Sequence, residues 1–342
     1  MERIGEDVAE IPDIQQKLLA NNGDLKFPDR VAHQYQIAGS RVVFQVANDL
    51  PEILRGVGLF QPGAQHCGVG RLSTGLGTPH VETNPDFLGI MVAFQTPDGQ
   101  RVDFLGINNP TAPTDDHRAF MSVLYATGAS AAADVPFIGK LGAHELANLA
   151  AQETEFGLAL ARRMGVIKAD KTLHHLTTQT LPTAFSSTAY QRYWTGIVEV
   201  GGTGSKFTFV PTREENHPPG FHPGPRHLSE EWKNRQLGGD VEFQLFWIPF
   251  LSEEKTPTKA LTQRWQEDHK QLVGRLVFPK TDLDSEDARL WAIRYGNGCQ
   301  SWQLGCGQTK QHPGTGERIR CREEDRLPKE PGRPRRLRAE FL

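Results

Sequence analysis

A single short segment constrains this chain more than any other. Gly89 to Phe94 and Val102 to Leu105 are apolar runs, and between them stands Thr96-Pro97-Asp98-Gly99. A Pro-Asp-Gly combination fixes a chain reversal, so the two runs read as an antiparallel hairpin. Val42 to Val46 alternates as a strand does, and Gly68 to Leu72 carries a further strand signal. Strand signals return late, at Trp194 to Val200, Lys206 to Val210, Glu242 to Phe246 and Leu272 to Phe278. Pairing of the early with the late strands would close one barrel. Helices are expected over 9–20, over Ala143 to Gly165, which ends in Arg-Arg-Met-Gly, and over Thr258 to Gln271. Pro211 to Leu228, rich in Pro, Gly and His, reads as a loop. The fold class is therefore α+β, an antiparallel barrel with helices around it.

Composition narrows the partners. The chain has 342 residues, 37% hydrophobic and 23% charged, with a formal net charge of -3. That is ordinary for a globular protein with a sizeable core and offers no electrostatic pull toward nucleic acid. No apolar stretch is long enough to span a bilayer, and the N-terminus MERIGEDVAEIPDIQQKLL lacks the apolar core of a signal peptide, which leads to the expectation of a cytoplasmic protein. Cys67, Cys299, Cys306 and Cys321 do not form a disulfide framework, and a reduced compartment fits. Cys299, Cys306, His312 and Cys321 lack the short C-x-x-C knuckle of a zinc site. His217, His222 and His227 stand among prolines and read as solvated loop histidines.

The order of motifs carries more information than any of them alone. Arg71-Leu72-Ser73-Thr74, then Phe94-Gln95-Thr96-Pro97-Asp98-Gly99, then Asp103-Phe104-Leu105-Gly106-Ile107-Asn108-Asn109-Pro110 resemble, in sequence and spacing, the R-F-S-T, F-Y-T-x-D-G and D-L-x-G-N-N-T-P runs of the heme catalases. Upstream, Asp29-Arg30-Val31-Ala32-His33 resembles that family's E-R-V-V-H. Downstream, Tyr193-Trp194 and Lys206-Phe207-Thr208-Phe209-Val210-Pro211 resemble the corresponding run of its small catalase-related peroxidases. The resemblance covers roughly 25–288, which divides the chain into an N-terminal helical arm at 1–24, a catalase-like heme domain at 25–288 and a divergent tail at 289–342.

The resemblance implies heme b, with its iron, as cofactor, and hydrogen peroxide or an organic hydroperoxide as substrate. It makes His33 the acid/base that moves a proton between the peroxide oxygens, a task suited to a group that titrates near neutrality. Asn108, or Asn109 after a one-residue slip, would orient the peroxide, and Ser73 would fix the His33 ring through its other nitrogen. Arg30 and Arg71 would pair with heme propionates, Phe120 would stack on the heme face, and Tyr295, the one late tyrosine, would ligate iron.

Three departures qualify this. Tyr295 lacks the arginine one turn before it, since position 291 is Trp291. Ala32 replaces the valine before the distal histidine, and Ala112 and Pro113 replace a Phe-Phe pair, which would widen access toward bulkier hydroperoxides. Beyond Leu290 the chain shows no clean apolar period. The expected function is a heme-dependent catalase-related peroxidase. A heme enzyme that rearranges fatty-acid hydroperoxides, and a heme-free binding module on the same fold, are the alternatives. A homo-oligomer is compatible with each.

Overall fold

A computed structural model describes residues 9–20, 32, 33, 35–75, 82, 86–96, 98–130, 155–180, 187–213, 224, 226–286 and 288, all within the unit 1–299. Of the sequence-based expectations, Arg30, Tyr295, the cysteines after residue 298 and the whole 289–342 tail lie outside the described residues.

Among the described residues nine strands form: β1 (Gln36–Val46), β2 (Gln65–Thr74), β3 (Leu88–Gln95), β4 (Arg101–Ile107), β5 (Tyr193–Thr195), β6 (Val198–Val200), β7 (Thr203–Pro211), β8 (Val241–Pro249) and β9 (Gln271–Phe278). Among the described residues five helices accompany them: α1 (Ile11–Ala20), α2 (His117–Ser130), α3 (155–164), α4 (Val166–Thr180) and α5 (His227–Gly238). The sheet order is β5-β4-β3-β2-β1-β9-β8-β7-β6, and β5 also pairs with β7. That last pairing closes eight antiparallel strands into a barrel and leaves β6 on its rim. Closure removes the unpaired strand edges that an open sheet exposes.

Period-two alternation decides which side chains enter the barrel. Phe44, Phe94, Phe104, Phe207, Phe209, Phe243 and Phe278 all belong to the main buried cluster. These rings need room, and glycines on neighbouring strands supply it. A Cβ at Gly68 would lie 2.4 Å from Phe94, one at Gly70 2.2 Å from Phe278, and one at Gly274 2.5 Å from Phe44. The interior is thus filled by aromatic rings seated on glycine backbone. Arg71, Ser73 and Gly89 alternate with inward-facing Leu72, Leu88 and Ile90, so they lie on the outer wall.

The expected hairpin is present. Thr96 N donates to Gln100 O at 2.8 Å, Gly99 N donates to Thr96 O at 2.9 Å, and Gly99 takes φ +87°, which a glycine adopts without strain. The glycine stop after Arg-Arg-Met is also realised, with Gly165 at φ +82° and its N–H on Ala161 O.

Several expectations need correction. Thr258 to Gln271 forms turns and no helix. Tertiary anchors win there over local propensity: Trp265 Nε1 donates to Pro257 O at 2.8 Å, Gln266 N to Lys255 O at 2.9 Å, and Glu253 takes up Thr258 N at 3.0 Å. Trp194 to Val200 divides into β5 and β6, with Thr195 Oγ1 turned onto Gly196 O between them. β1 starts six residues earlier than the alternation suggested and carries a bulge between Gln36 and Ala38. Helix α5 begins inside the segment read as a loop. It seats Trp232 against Phe278, ring centroids 5.2 Å apart, and its N-terminal Ser229 N–H is taken by the buried carboxylate of Glu82 at 2.9 Å. His227 is accordingly buried at the start of that helix and is no solvated loop residue. Cys67 is disulfide-bonded, where the sequence suggested reduced thiols.

Candidate functional site

The site is built at the end of the barrel where β2 stops and β3 starts. Ser73 pairs with Gly89, and Gly89 pairs with Ile107 on the far side, so three strands meet in one row. His33 arrives from the segment before β1. Its backbone has φ +55°, the one non-glycine residue with positive φ among the described residues. A histidine in that region is held there by its surroundings at a cost of about 1 kcal/mol. Two backbone bonds hold it: His33 N donates to Gly75 O at 2.9 Å, and His33 O accepts from Arg71 Nη2 at 2.6 Å.

The imidazole packs against β3 at Gly89. His33 Nδ1 stands 3.1 Å from Ser73 Oγ. A Cβ at Gly89 would lie 2.5 Å from His33 Nδ1, 2.6 Å from its Cε1 and 3.0 Å from Ser73 Oγ. Gly89 therefore provides the floor on which the ring rests, and any larger residue would occupy the same space. In the tautomer whose Nδ1–H donates to Ser73 Oγ, Nε2 is the basic nitrogen of the ring.

Asn108 follows Ile107 and extends the β3–β4 ladder. Asn108 N donates to Leu88 O at 2.9 Å, and Leu88 N donates to Asn108 Oδ1 at 2.8 Å. The amide oxygen is thus fixed, and the Nδ2 donor has no partner among the described residues. Asn109 is used differently: its Oδ1 accepts from Thr111 N at 3.0 Å and from Thr111 Oγ1 at 2.9 Å, closing a local turn. The turn is anchored further by Gln179 Nε2 on Thr111 Oγ1 at 2.7 Å, Lys206 Nζ on Pro110 O at 3.2 Å, and Ala112 N on Leu261 O at 3.0 Å.

Arg71 is 5% exposed. Besides His33 O it reaches Gln36 Oε1 through Nε at 3.3 Å, so part of its work is to hold the His33 segment. Phe120 lies in the first turns of α2, whose Ala119 N–H is capped by Asp116 at 2.7 Å. That hydrogen bond also holds the Asp116 carboxyl below its ordinary range. Ala32 packs with Met121 and Leu124 of α2 and Ile14 and Leu18 of α1, which ties the backbone next to His33 to the helix that carries Phe120. Phe120 is 39% exposed and Leu105, on the outer wall of β4, is 57% exposed.

Two residues beyond His33, Tyr35 donates to Glu82 at 3.1 Å, and Glu82 also caps α5. Burial, with the Glu82 charge second, pushes the Tyr35 hydroxyl above its ordinary range. Of the residues singled out in the sequence, the fold brings His33, Ser73 and Arg71 into contact and sets Asn108 on the Leu88 backbone; the contacts of Gly89, Gln36 and Lys206 were not anticipated. A glycine opposite a motif serine on a paired strand was the signal for the first; the others act through contacts that only the folded chain brings together.

No family model matches the chain, and a comparison with curated proteins found no match. Solved structures are similar to it. A bacterial catalase aligns with a TM-score of 0.55 at 17% identity over 79% of this chain and 56% of its own. A fungal catalase gives 0.55 at 14% over 82% and 59%, and catalase A from Saccharomyces cerevisiae gives 0.55 at 14% over 78% and 55%. The chain spans a little over half the length of these proteins. At such low identity the likeness concerns architecture. Together with the closed eight-stranded barrel, it shows that the chain has the catalase-like fold.

Proposed function

We propose that this protein is a heme-dependent peroxidase related to the catalases, acting on hydrogen peroxide or organic hydroperoxides. The observation that carries the reading is the His33–Ser73–Gly89 arrangement: an imidazole laid on a glycine strand, with one nitrogen engaged by a serine 3.1 Å away. Such a group is an oriented acid/base. It takes a proton from one peroxide oxygen and delivers it to the other, and orientation of this kind is worth orders of magnitude in rate.

The residues present fit a heme on its distal side. The exposed faces of Phe120 and Leu105 offer apolar contact, and Arg71 stands beside the His33 segment. Phe120 would lie against the macrocycle, with Arg71 and Arg30 toward its carboxylates and Tyr295 as the iron ligand. When bound, the heme supplies the redox chemistry of peroxide reduction. His33 moves the proton and Asn108 offers its Nδ2 donor to the peroxide. Ser73 and Gly89 hold the ring plane, while Arg71 holds the backbone beneath it. Ala32 packs into the α1–α2 cluster, so of the sequence departures the missing bulk at Ala112 and Pro113 is the one that would favour hydroperoxides larger than hydrogen peroxide.

Absorption spectroscopy of protein from heme-supplemented cells, followed by turnover with hydrogen peroxide and a fatty-acid hydroperoxide, tests this. A Soret band, its loss or displacement in Tyr295→Phe, and a fall in turnover of about 10²-fold or more in His33→Ala are expected. Epoxide or allene oxide products without donor oxidation would replace the peroxidase by a rearranging enzyme. Absence of any Soret band would make the protein a heme-free binding module.

A further inference from the structure

Lys206 is a costly residue in its place. It lies on β7 with 5% exposure, although lysine is rarely fully buried without a charged partner. Its neighbours Ser205 and Phe207 belong to the barrel interior side, so Lys206 projects from the outer wall, toward the turn after β4. Nζ donates to Pro110 O at 3.2 Å and stands 5.3 Å from the centroid of Trp265. Among the described residues it has no carboxylate within ion-pair distance. Burial pushes its amine down to about 8, with the Glu267 charge opposing that shift. An alkyl side chain would fill this position without the desolvation penalty.

We propose that Lys206 is a positioning residue for Asn108. By holding the Pro110 carbonyl, its Nζ sets the Asn108-Asn109-Pro110 turn in which the Asn108 amide is fixed. The inference rests on the reading of His33 and Asn108 as the peroxide site. The geometry of the turn explains why one donor matters. Pro110 has no N–H of its own to anchor the turn. Asn109 is occupied with Thr111, and Thr111 and Ala112 are tied to Gln179 and Leu261 on the far side. Between the Leu88 bonds of Asn108 and these later anchors, Lys206 supplies the restraint on the Pro110 peptide. The cationic donor makes that bond stronger than a neutral donor would, which offsets part of its cost.

Amide hydrogen exchange on the full chain tests the proposal, using wild type, Lys206→Met and Lys206→Gln. Thermal midpoints are measured for all three, and kcat and KM for hydrogen peroxide where heme is bound. In Lys206→Met, exchange at Thr111 and Ala112 is expected to accelerate about tenfold, the size of one lost hydrogen bond, with an unchanged or higher thermal midpoint. kcat should fall about tenfold while KM moves less than about twofold, because an orienting group acts on the reacting geometry. Lys206→Gln, which keeps an N–H donor on a shorter stem, should recover part of the protection. Unchanged exchange at Thr111 and Ala112 would overturn the proposal, as would a lower midpoint with faster exchange throughout the barrel, the mark of a general packing role. If wild type binds no heme, the peroxidase reading fails on its own, and the exchange data still decide whether Lys206 holds the turn.

Discussion

Replacing Gly89 by alanine places one methyl group where the His33 ring now rests. The added Cβ would stand 2.5 Å from Nδ1 and 2.6 Å from Cε1, against an ordinary contact of at least 3.4 Å. The ring must therefore retreat by about 1 Å, and the 3.1 Å bond to Ser73 cannot follow it. The stability cost is small. One part-buried hydrogen bond is worth about 1 kcal/mol, and alanine recovers about 0.5–1 kcal/mol of the backbone entropy that glycine loses in a strand. The functional cost is large, because a 1 Å misplacement of a reacting group can cost about 10²-fold in rate. The expected result for Gly89→Ala is a urea midpoint near that of wild type, a retained heme spectrum and peroxide turnover lowered by about 10²-fold. The assay is steady-state turnover beside equilibrium unfolding on the same preparation. Turnover within threefold of wild type, with the fold intact, would refute the assignment of His33 to proton transfer at this position.

Other outcomes are expected. Asn108→Asp keeps the oxygen that accepts from Leu88 N but loses the Nδ2 donor, so stability should change by less than about 1 kcal/mol while turnover falls about tenfold or more. Gly70→Ala would drive a methyl group to 2.2 Å from Phe278 in the barrel interior, and unfolding in urea should show a loss of about 2–3 kcal/mol. Lys206, with its amine pushed down to about 8, costs the fold most when protonated, so stability should rise as pH goes from about 8 toward its ordinary 10.5. In Lys206→Met that rise should vanish. At pH 7 the variant should be more stable by about 2 kcal/mol, the recovered desolvation less the lost Pro110 bond, as read from denaturant midpoints across the pH series.

The parts of the fold legible in the chain are those that local chemistry decides. The Pro-Asp-Gly reversal placed β3 against β4, apolar alternation marked the strand cores, and Arg-Arg-Met-Gly ended α3 where Gly165 turns. The misreadings share one cause. Thr258 to Gln271 has helical residues, but Trp265 is buried beside Trp194 and Ile248 and fixes that stretch as turns. α5 begins among loop-like residues, yet Glu82, 147 residues before Ser229, caps it. Tertiary contacts outweigh propensities of a few tenths of a kcal/mol per residue.

The same division runs through the site. His33, Ser73, Arg71 and Asn108 were recognisable because their motifs follow in order, and each motif is a short run of neighbouring residues. Where these residues stand relative to the rest of the chain depends on what no run contains. Strand register sets Ser73 opposite Gly89 and so creates the bare floor for the imidazole. A buried arginine reaches back 38 residues to hold the His33 carbonyl, and a lysine 96 residues beyond Pro110 donates to that residue's carbonyl in the turn after Asn108. Sequence by itself determined which chemical groups are available and which segments extend or reverse, since those are properties of neighbouring residues. The tertiary structure alone decided which groups meet, because ring-on-glycine contact and hydrogen bonding act over a few ångströms between residues far apart in the chain.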